Sequence, residues 1–236
     1  MMHFDYVVTE EINPYQNLAT EQELMSHTKK GRAILFLWQN ANTIVIGRNQ
    51  NAENECRINK FRNAGGKIAR RRSGGGAVYH DLGNLNFSIL CKTDEQEFCN
   101  YQELVSNVLM EFGIEAVYNG RNDITVNGRK VSGNAVYEDG DTVCQHGTVL
   151  IATDIDKMTY YLTPEKNKLE RNHIKSVSSR VVNLSSLNSE IDINSMIQAF
   201  IHATKAKKLE YMPDKKMIDK LVEFYKSDIW VYEGKR

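Results

Sequence analysis

The chain has 236 residues, with 30 Lys and Arg against 30 Asp and Glu, 41% hydrophobic residues, 15 glycines, 3 prolines and 4 cysteines. That composition fits one globular domain of generous size and excludes both a disordered chain, which has fewer apolar residues and more net charge, and a disulfide-dense scaffold. A net charge of zero also argues against the nucleic-acid backbone as the main partner, because counterion release needs a basic face.

The N-terminal residues Met1 to Tyr6 carry no basic stretch followed by an apolar core. No run approaches the roughly 18 apolar residues of a membrane helix, so a cytoplasmic protein without a membrane partner is expected. Cys56, Cys91, Cys99 and Cys144 show no Cys-x-x-Cys spacing. Zinc is therefore not expected, and the four thiols read as reduced packing groups.

In chain order, Pro14 to His27 places Leu18, Leu24 and Met25 at helical spacing. Ala33 to Trp38 and Thr43 to Gly47 are dense, β-branched and aromatic, and read as two buried strands forming a hairpin across Gln39 to Asn42. Asn59 to Ala64 reads as the end of a helix stopped at Gly65-Gly66, with a strand over Lys67 to Arg72. A strand over Leu85 to Cys91, a helix over Tyr101 to Phe112 closed by Gly113, and a strand over Glu115 to Tyr118 follow. Asp123 to Lys130 is the clearest hairpin, because Asn127-Gly128 suits the two positive-φ positions of a type I′ turn. Thr142 to Ala152 reads as a strand, and Asp154 to Leu162, Ile193 to Lys208 and Asp214 to Tyr225 as helices. Strands in hairpins, without regular strand-helix alternation, predict an α+β fold in which a mostly antiparallel sheet is flanked by helices, as one domain over residues 1–236.

Three segments carry chemistry. In Arg70-Arg71-Arg72-Ser73-Gly74-Gly75-Gly76-Ala77-Val78-Tyr79-His80-Asp81, glycines leave backbone N–H groups open to an anion and guanidiniums can grip phosphate or carboxylate. The segment matches neither the Walker nor the dinucleotide spacing, and a glycine turn with solvated arginines is the plainer alternative. In Gly128-Arg129-Lys130-Val131-Ser132-Gly133, a lysine follows a tight turn and precedes small residues. Such a lysine suits a phosphate or a developing oxyanion, although a lone hairpin lysine is more often solvated. In Cys144-Gln145-His146-Gly147-Thr148, His146 could donate to a ligand and Cys144 could act as a nucleophile with Lys130 as its base. Spacing alone favours a satisfied histidine and a packing thiol.

Together these segments resemble the lipoate-protein ligase family. The resemblance rests on Asn17-Leu18-Ala19 with Glu21, Leu35 to Trp38, Ile44 to Arg48 with Gln50-Asn51, Arg70 through Asn84, Gly120-Arg121-Asn122-Asp123, Arg129 to Gly133, and His146 to Leu150. Ser176-Val177, Ser179-Arg180-Val181 and Asn183-Leu184 extend it. It implies a biotin/lipoate ligase-like catalytic domain and a two-step reaction: lipoate and ATP give lipoyl-AMP and pyrophosphate, and a lysine of a lipoyl domain then takes the acyl group. By the same resemblance, Arg71 and the backbone from Gly75 and Gly76 through Ala77, Val78 and Tyr79 hold ATP and the adenylate. Lys130 bridges phosphate and acyl carbonyl as the catalytic residue. Trp38, Arg71, Ser73, Gly76, Lys130 and His146 surround lipoate, and Asp123 is the carboxylate for Mg²⁺. The implied partners are lipoyl domains of 2-oxoacid dehydrogenase acyltransferase subunits and the glycine cleavage H protein.

Single-chain members of the family continue beyond a segment like Trp230 to Gly234 into an accessory domain. A truncated chain, a separate accessory protein and a homologue working without one are the three readings, and adenylate formation is the step they affect. Related octanoyl and lipoyl transferases instead use a cysteine without ATP, which makes Cys144 the rival nucleophile. The Arg-Arg-Ser-Gly-Gly-Gly and Arg-Lys-Val-Ser-Gly motifs are of ligase type. A biotin ligase would show a Gly-Arg-Gly-Arg-x-Gly-Arg loop, which is absent, and a protein that only binds acyl groups would not need Lys130.

Overall fold

In a computed structural model that describes residues 2–118, 122–163, 180–210 and 213–234, the strands divide between two sheets. The first half of the chain forms β1 (His3–Val8), α1 (Pro14–Ser26), β2 (Arg32–Trp38), β3 (Thr43–Ile46), α2 (Ala52–Glu55), α3 (Ile58–Asn63), β4 (Lys67–Arg70), β5 (Val78–His80) and β6 (Asn84–Lys92). The second half forms α4 (Tyr101–Met110), β7 (Val117–Tyr118), β8 (Asp123–Val126), β9 (Arg129–Asp139), β10 (Thr142–Leu150), α5 (Ile155–Tyr161), α6 (Ile193–Thr204), β11 (Lys207–Lys208) and α7 (Lys215–Lys226). An eight-stranded sheet runs β11-β1-β2-β6-β10-β9-β8-β7, and a three-stranded sheet runs β4-β3-β5. The architecture is α+β with helices on both faces of the large sheet. Its pairings are antiparallel except β1 with β2 and with β11, while β3 and β4 are parallel in the small sheet.

The central strand β2 explains its own composition. Ala33, Leu35 and Leu37 join a core with Phe87, Val108 and Phe200 of β6, α4 and α6. Ile34, Phe36 and Trp38 point the other way, into a core with Leu18 and Leu24 of α1 and Ile218 and Tyr225 of α7. A strand covered on both faces has no polar side, so its sequence reads as a continuous apolar run. A third core, with Ile44, Ile46, Phe61, Tyr79 and Met158, seals the small sheet under α3 and α5.

Several expectations are corrected. Ala33 to Trp38 and Thr43 to Gly47 are not a hairpin: β2 pairs with β1 and β6, whereas β3 pairs with β4 and β5. The linker between them passes from one sheet to the other, held by Asn40, which accepts from Asn17 Nδ2 and donates to His80 Nδ1. The helix expected to reach Lys208 ends at Thr204, because Lys205 adopts a left-handed φ of 51°, and Lys207–Lys208 pair with β1 instead. The strands at His3–Val8 and Val78–His80 were not among the expected elements. The Asn127-Gly128 turn has the anticipated pair of positive φ angles, 51° and 73°. Among the resemblance segments, Gly120, Arg121, Ser176, Val177 and Ser179 lie outside the described residues.

Candidate active site

Strand register lines up one row of residues across the large sheet. Trp38 of β2 opposes Asn86 of β6, Asn86 opposes Thr148 of β10, Thr148 opposes Gly133 of β9, and Gly133 opposes Asp123 of β8. Opposed residues in a sheet carry side chains on one face, at about 4.8 Å per strand. A cavity of about 450 Å³ is lined by all five of these residues and by the glycine loop that follows β4. One end is walled by the apolar groups Leu18, Trp38 and Val45, and the other by Lys130, Asp123 and Arg180.

Lys130 reaches the row because β9 lacks a side chain where its ammonium lies. A Cβ at Gly133 would fall 2.5 Å from Lys130 Nζ, so only glycine leaves that space. The Nζ stands 2.7 Å from Asp123 Oδ1. Residues 180–182 run beside this turn, with Val182 N donating to Lys130 O at 3.0 Å, and that contact brings Arg180 to the same end. Arg180 Nε and Nη2 are buried without a hydrogen-bond partner among the described residues.

The three consecutive arginines have three different fates. Arg70 is buried and donates to the carbonyls of Gly47, Arg48, Gln50, Trp230, Val231 and Tyr232. It staples the C-terminal turn Ile229–Glu233 to the small sheet and offers nothing to a ligand. Arg72 pairs with Asp139 and lies over the Tyr137 ring. Arg71 alone lines the cavity, and its guanidinium braces the loop through Val45 O, Ser73 Oγ, Gly74 O and Gly76 O. Burial pulls its pKa down to about 10, which leaves it charged. The expectation of three arginines gathered round an anion is therefore corrected to one, because alternation along the chain turns its neighbours to other partners.

The backbone of the glycine loop also reaches the cavity. Gly75 has a φ of 92°, Gly75, Gly76, Ala77 and Val78 line the cavity, and Ala77 N donates to Glu55 Oε2 at 3.1 Å. A carboxylate thus already rests on one of the loop's amides. Ser73 and Tyr79 stand behind the lining. Ser73 is fully buried against His146 Nε2 at 2.7 Å, and the Tyr79 ring packs edge-on against Phe61 in the third core.

His146 lines the cavity from β10, and its Nδ1 lies 2.8 Å from Glu21 Oε1. The same oxygen accepts from Ser88 Oγ at 2.6 Å, and Ser88 Oγ accepts from Trp38 Nε1 at 3.0 Å. One buried carboxylate thereby fixes the apolar wall and the histidine together. Burial alone would raise the Glu21 pKa, but attraction to His146 and the hydrogen bonds from His146 and Ser88 hold it below the usual carboxylate range. Glu21, Cys144 and His146 are the one group of metal-ligand types brought together among the described residues. The first and last of them are already engaged with each other, and burial, with Glu21 beside it, pushes the Cys144 thiol well up. Cys144 is fully buried in the α1-side core and is not part of the cavity wall.

Sequence reasoning did not assign Glu21, Glu55, His80, Asn86 or Arg180 to the site. Glu21, His80 and Arg180 stand inside segments that carry the family resemblance, which was the available signal. Glu55 and Asn86 carried none.

Fold and site together give one elongated cavity over the large sheet, with apolar groups such as Trp38 in its lining and the cations Arg71, Lys130 and Arg180 beside them. The chain belongs to the family described as the lipoyl protein ligase A/B catalytic domain, whose family model matches residues 13–205. It is 43% identical over 191 residues to the lipoate-protein ligase A of Blochmanniella pennsylvanica (strain BPEN), covering 79% of this chain and 56% of that protein. The match therefore spans little more than half of that relative's length. A chain from the structure of a bi-partite lipoate protein ligase and its E2 lipoyl domain from Thermoplasma acidophilum superposes with a TM-score of 0.83 at 26% identity, covering 100% of this chain and 98% of that one. The structure of P. falciparum LipL1 in complex with lipoate superposes with a TM-score of 0.80 at 33% identity, covering 99% and 74%.

Proposed function

We propose that this chain is the catalytic part of a lipoate-protein ligase, joining lipoate to a lysine of lipoyl domains at the expense of ATP. The observation that carries the reading is the row from Trp38 to Asp123, apolar at one end and cationic at the other, spanned by a single cavity.

In the first step a carboxylate oxygen of lipoate attacks the α-phosphorus of ATP, the bond to the β-phosphate oxygen breaks, and pyrophosphate leaves. In the second, the amine of the acceptor lysine attacks the acyl carbon, AMP departs, and the amine proton passes to solvent. Charge develops on phosphate oxygens in one step and on the acyl oxygen in the other. Lys130 is the donor assigned to both, since its Nζ lies over Gly133 in the cavity lining, at the end away from Trp38. The amides of the loop from Gly75 to Val78 and the Arg180 guanidinium supply further donors to the nucleotide phosphates. Arg71 holds that loop in shape, and Trp38, Leu18 and Val45 exclude water from the acyl chain.

Mg²⁺ would accompany ATP in this reading, and Asp123 is the carboxylate that would hold it, because a hard cation takes carboxylate oxygens. A Cys144 thioester mechanism is disfavoured by a thiol that is fully buried, pushed far up by burial and outside the cavity wall. Among the described residues no helix is long and apolar enough to cross a membrane, and four buried free thiols suit a cytoplasmic setting. The acceptors proposed are lipoyl domains of 2-oxoacid dehydrogenase acyltransferase subunits and the glycine cleavage H protein. The likeness to a chain of a ligase described as bi-partite supports including a separate accessory polypeptide among the proposed partners.

The test is incubation of the purified chain with ATP, lipoate and an apo lipoyl domain, reading pyrophosphate release and the mass of the domain. Mass gain with ATP, or with preformed lipoyl-AMP when activation needs the accessory polypeptide, supports the reading. Gain only from an acylated carrier protein, lost in Cys144→Ala, replaces it with the transferase.

A further inference from the structure

The glycine loop that follows β4 is held in shape chiefly through its carbonyls. Arg71 donates to Gly74 O and Gly76 O, and Arg48 N donates to Ser73 O at 2.9 Å. The loop also presses on Gly47 so closely that a Cβ there would fall 1.9 Å from Gly75 O. One further contact has the opposite polarity: Ala77 N donates to Glu55 Oε2 at 3.1 Å.

Glu55 ends α2, is 5% exposed, and lines the cavity together with Gly75, Gly76 and Ala77. A Cβ at Gly76 would lie 3.4 Å from the same Oε2, so the carboxylate rests against two successive residues of the loop. Its backbone is tied to the residues that close α5, with Thr163 N donating to Glu55 O and Arg57 N donating to Tyr161 O, both at 2.9 Å. The fold therefore delivers this carboxylate to the loop from a separate, anchored segment.

The charge balance gives it a role. The Arg71 guanidinium donates to Val45 O, Ser73 Oγ, Gly74 O and Gly76 O, all of them neutral. The negative charges that favour its cationic form are Glu55 and Glu21, and of these two only Glu55 lines the cavity. A phosphate at the loop offers what Glu55 already offers, namely negative charge near Arg71 and an oxygen for Ala77 N–H. A backbone amide has one proton to donate, and two buried anions side by side repel, so the carboxylate and the phosphate exclude each other.

Resting on the ligase reading above, we propose that Glu55 is the resident anion of the nucleotide loop, holding the Ala77 amide, yielding it to a phosphate of ATP or of the adenylate, and retaking it as AMP leaves. Glu55 thereby sets the affinity of the cavity for phosphate-bearing ligands and eases product release.

Calorimetric titration of the purified chain with AMP, and with adenosine, which lacks the phosphate, tests this without requiring turnover. Glu55→Gln keeps the side-chain shape and an acceptor for Ala77 N–H but removes the charge. It is expected to tighten AMP by about fivefold to tenfold, the difference between a charge-assisted and a neutral hydrogen bond, while adenosine affinity stays as in the wild type. Glu55→Ala, which removes the acceptor as well, is expected to tighten AMP at least as much, and thermal unfolding reports that each variant is folded. AMP binding that is unchanged or weaker in Glu55→Gln, or that tightens equally with adenosine, overturns the role of Glu55; AMP binding by the wild type then leaves the ligase reading intact. AMP binding by neither the wild type nor Glu55→Gln overturns both.

Discussion

Lys130 Nζ and Asp123 Oδ1 stand 2.7 Å apart on the two arms of the β8-β9 hairpin, each about a third exposed to the cavity mouth. The tight Asn127-Gly128 turn brings them together, and the missing side chain at Gly133 lets the ammonium lie flat over the strand. In the proposed reaction, an arriving phosphate competes with Asp123 for that ammonium.

Lys130→Ala is expected to slow acyl transfer from preformed lipoyl-AMP by about a hundredfold to a thousandfold, the range for removing one transition-state donor. Single-turnover transfer to an apo lipoyl domain measures it. Asp123→Asn is expected to change folding stability by less than about 1 kcal/mol, because the pair is partly solvated. The same variant is expected to raise the KM for Mg-ATP, since it removes the carboxylate assigned to the metal.

Glu21 is the buried charge on which Trp38, Ser88 and His146 converge. Removing one partner from such a network strands the others, so Glu21→Ala is expected to cost about 3–5 kcal/mol. For a chain of this size that is a fall of roughly 10 °C in Tm, read by thermal unfolding. The folded carboxyl titrates below its ordinary value of 4.5, so its contribution is complete above that pH and is lost as pH falls toward the depressed folded value. Glu21→Gln removes this part of the acid sensitivity.

His80 contributes acid sensitivity over a higher range. Its folded pKa is about 3 against an ordinary 6.5, so between those values the unfolded chain binds a proton that the folded chain refuses. Stability therefore rises with pH across this window, by up to about 1.4 kcal/mol per unit. Urea unfolding at pH 5 and pH 7 is expected to show a difference about 2 kcal/mol larger in the wild type than in His80→Gln. Equal differences would mean that the ring is protonated in the folded chain.

Arg70 carries no catalytic duty and a large structural one. Arg70→Met leaves six buried or half-buried carbonyls without their donor and is expected to destabilise the chain by about 4 kcal/mol. Trp230, whose Nε1 donates to Arg70 O, is expected to become solvent-accessible first, as a red shift in fluorescence below the global urea midpoint.

Local chemistry made much of this molecule legible from sequence. The hairpin at Asn127-Gly128, the glycine stops at Gly65 and Gly113, both with positive φ, and the apolar run of β2 follow from turn geometry and periodicity. The glycine loop and Lys130 stood out because few structural duties call for their residue types in that order. The pairing of β2 and β3 was not legible, because an apolar strand states that it is buried and not which sheet buries it. The start of the chain was missed for a related reason: β1 exposes or half-exposes most of its residues and pairs in parallel with β2 and with β11, the latter far along the chain.

By itself, the sequence determined the family, most of the kinds of element and the two charged segments that come to line the cavity. Only the tertiary structure decided which arginine faces the cavity, that Cys144 lies outside it, and that His80 and Asn86 bring buried polar groups to its lining. The physical reason is distance along the chain. A turn or a helix cap is settled by neighbours a few residues away, but the partner that neutralises or strands a polar group comes from anywhere, as Arg70 does with Trp230 and Glu21 with His146.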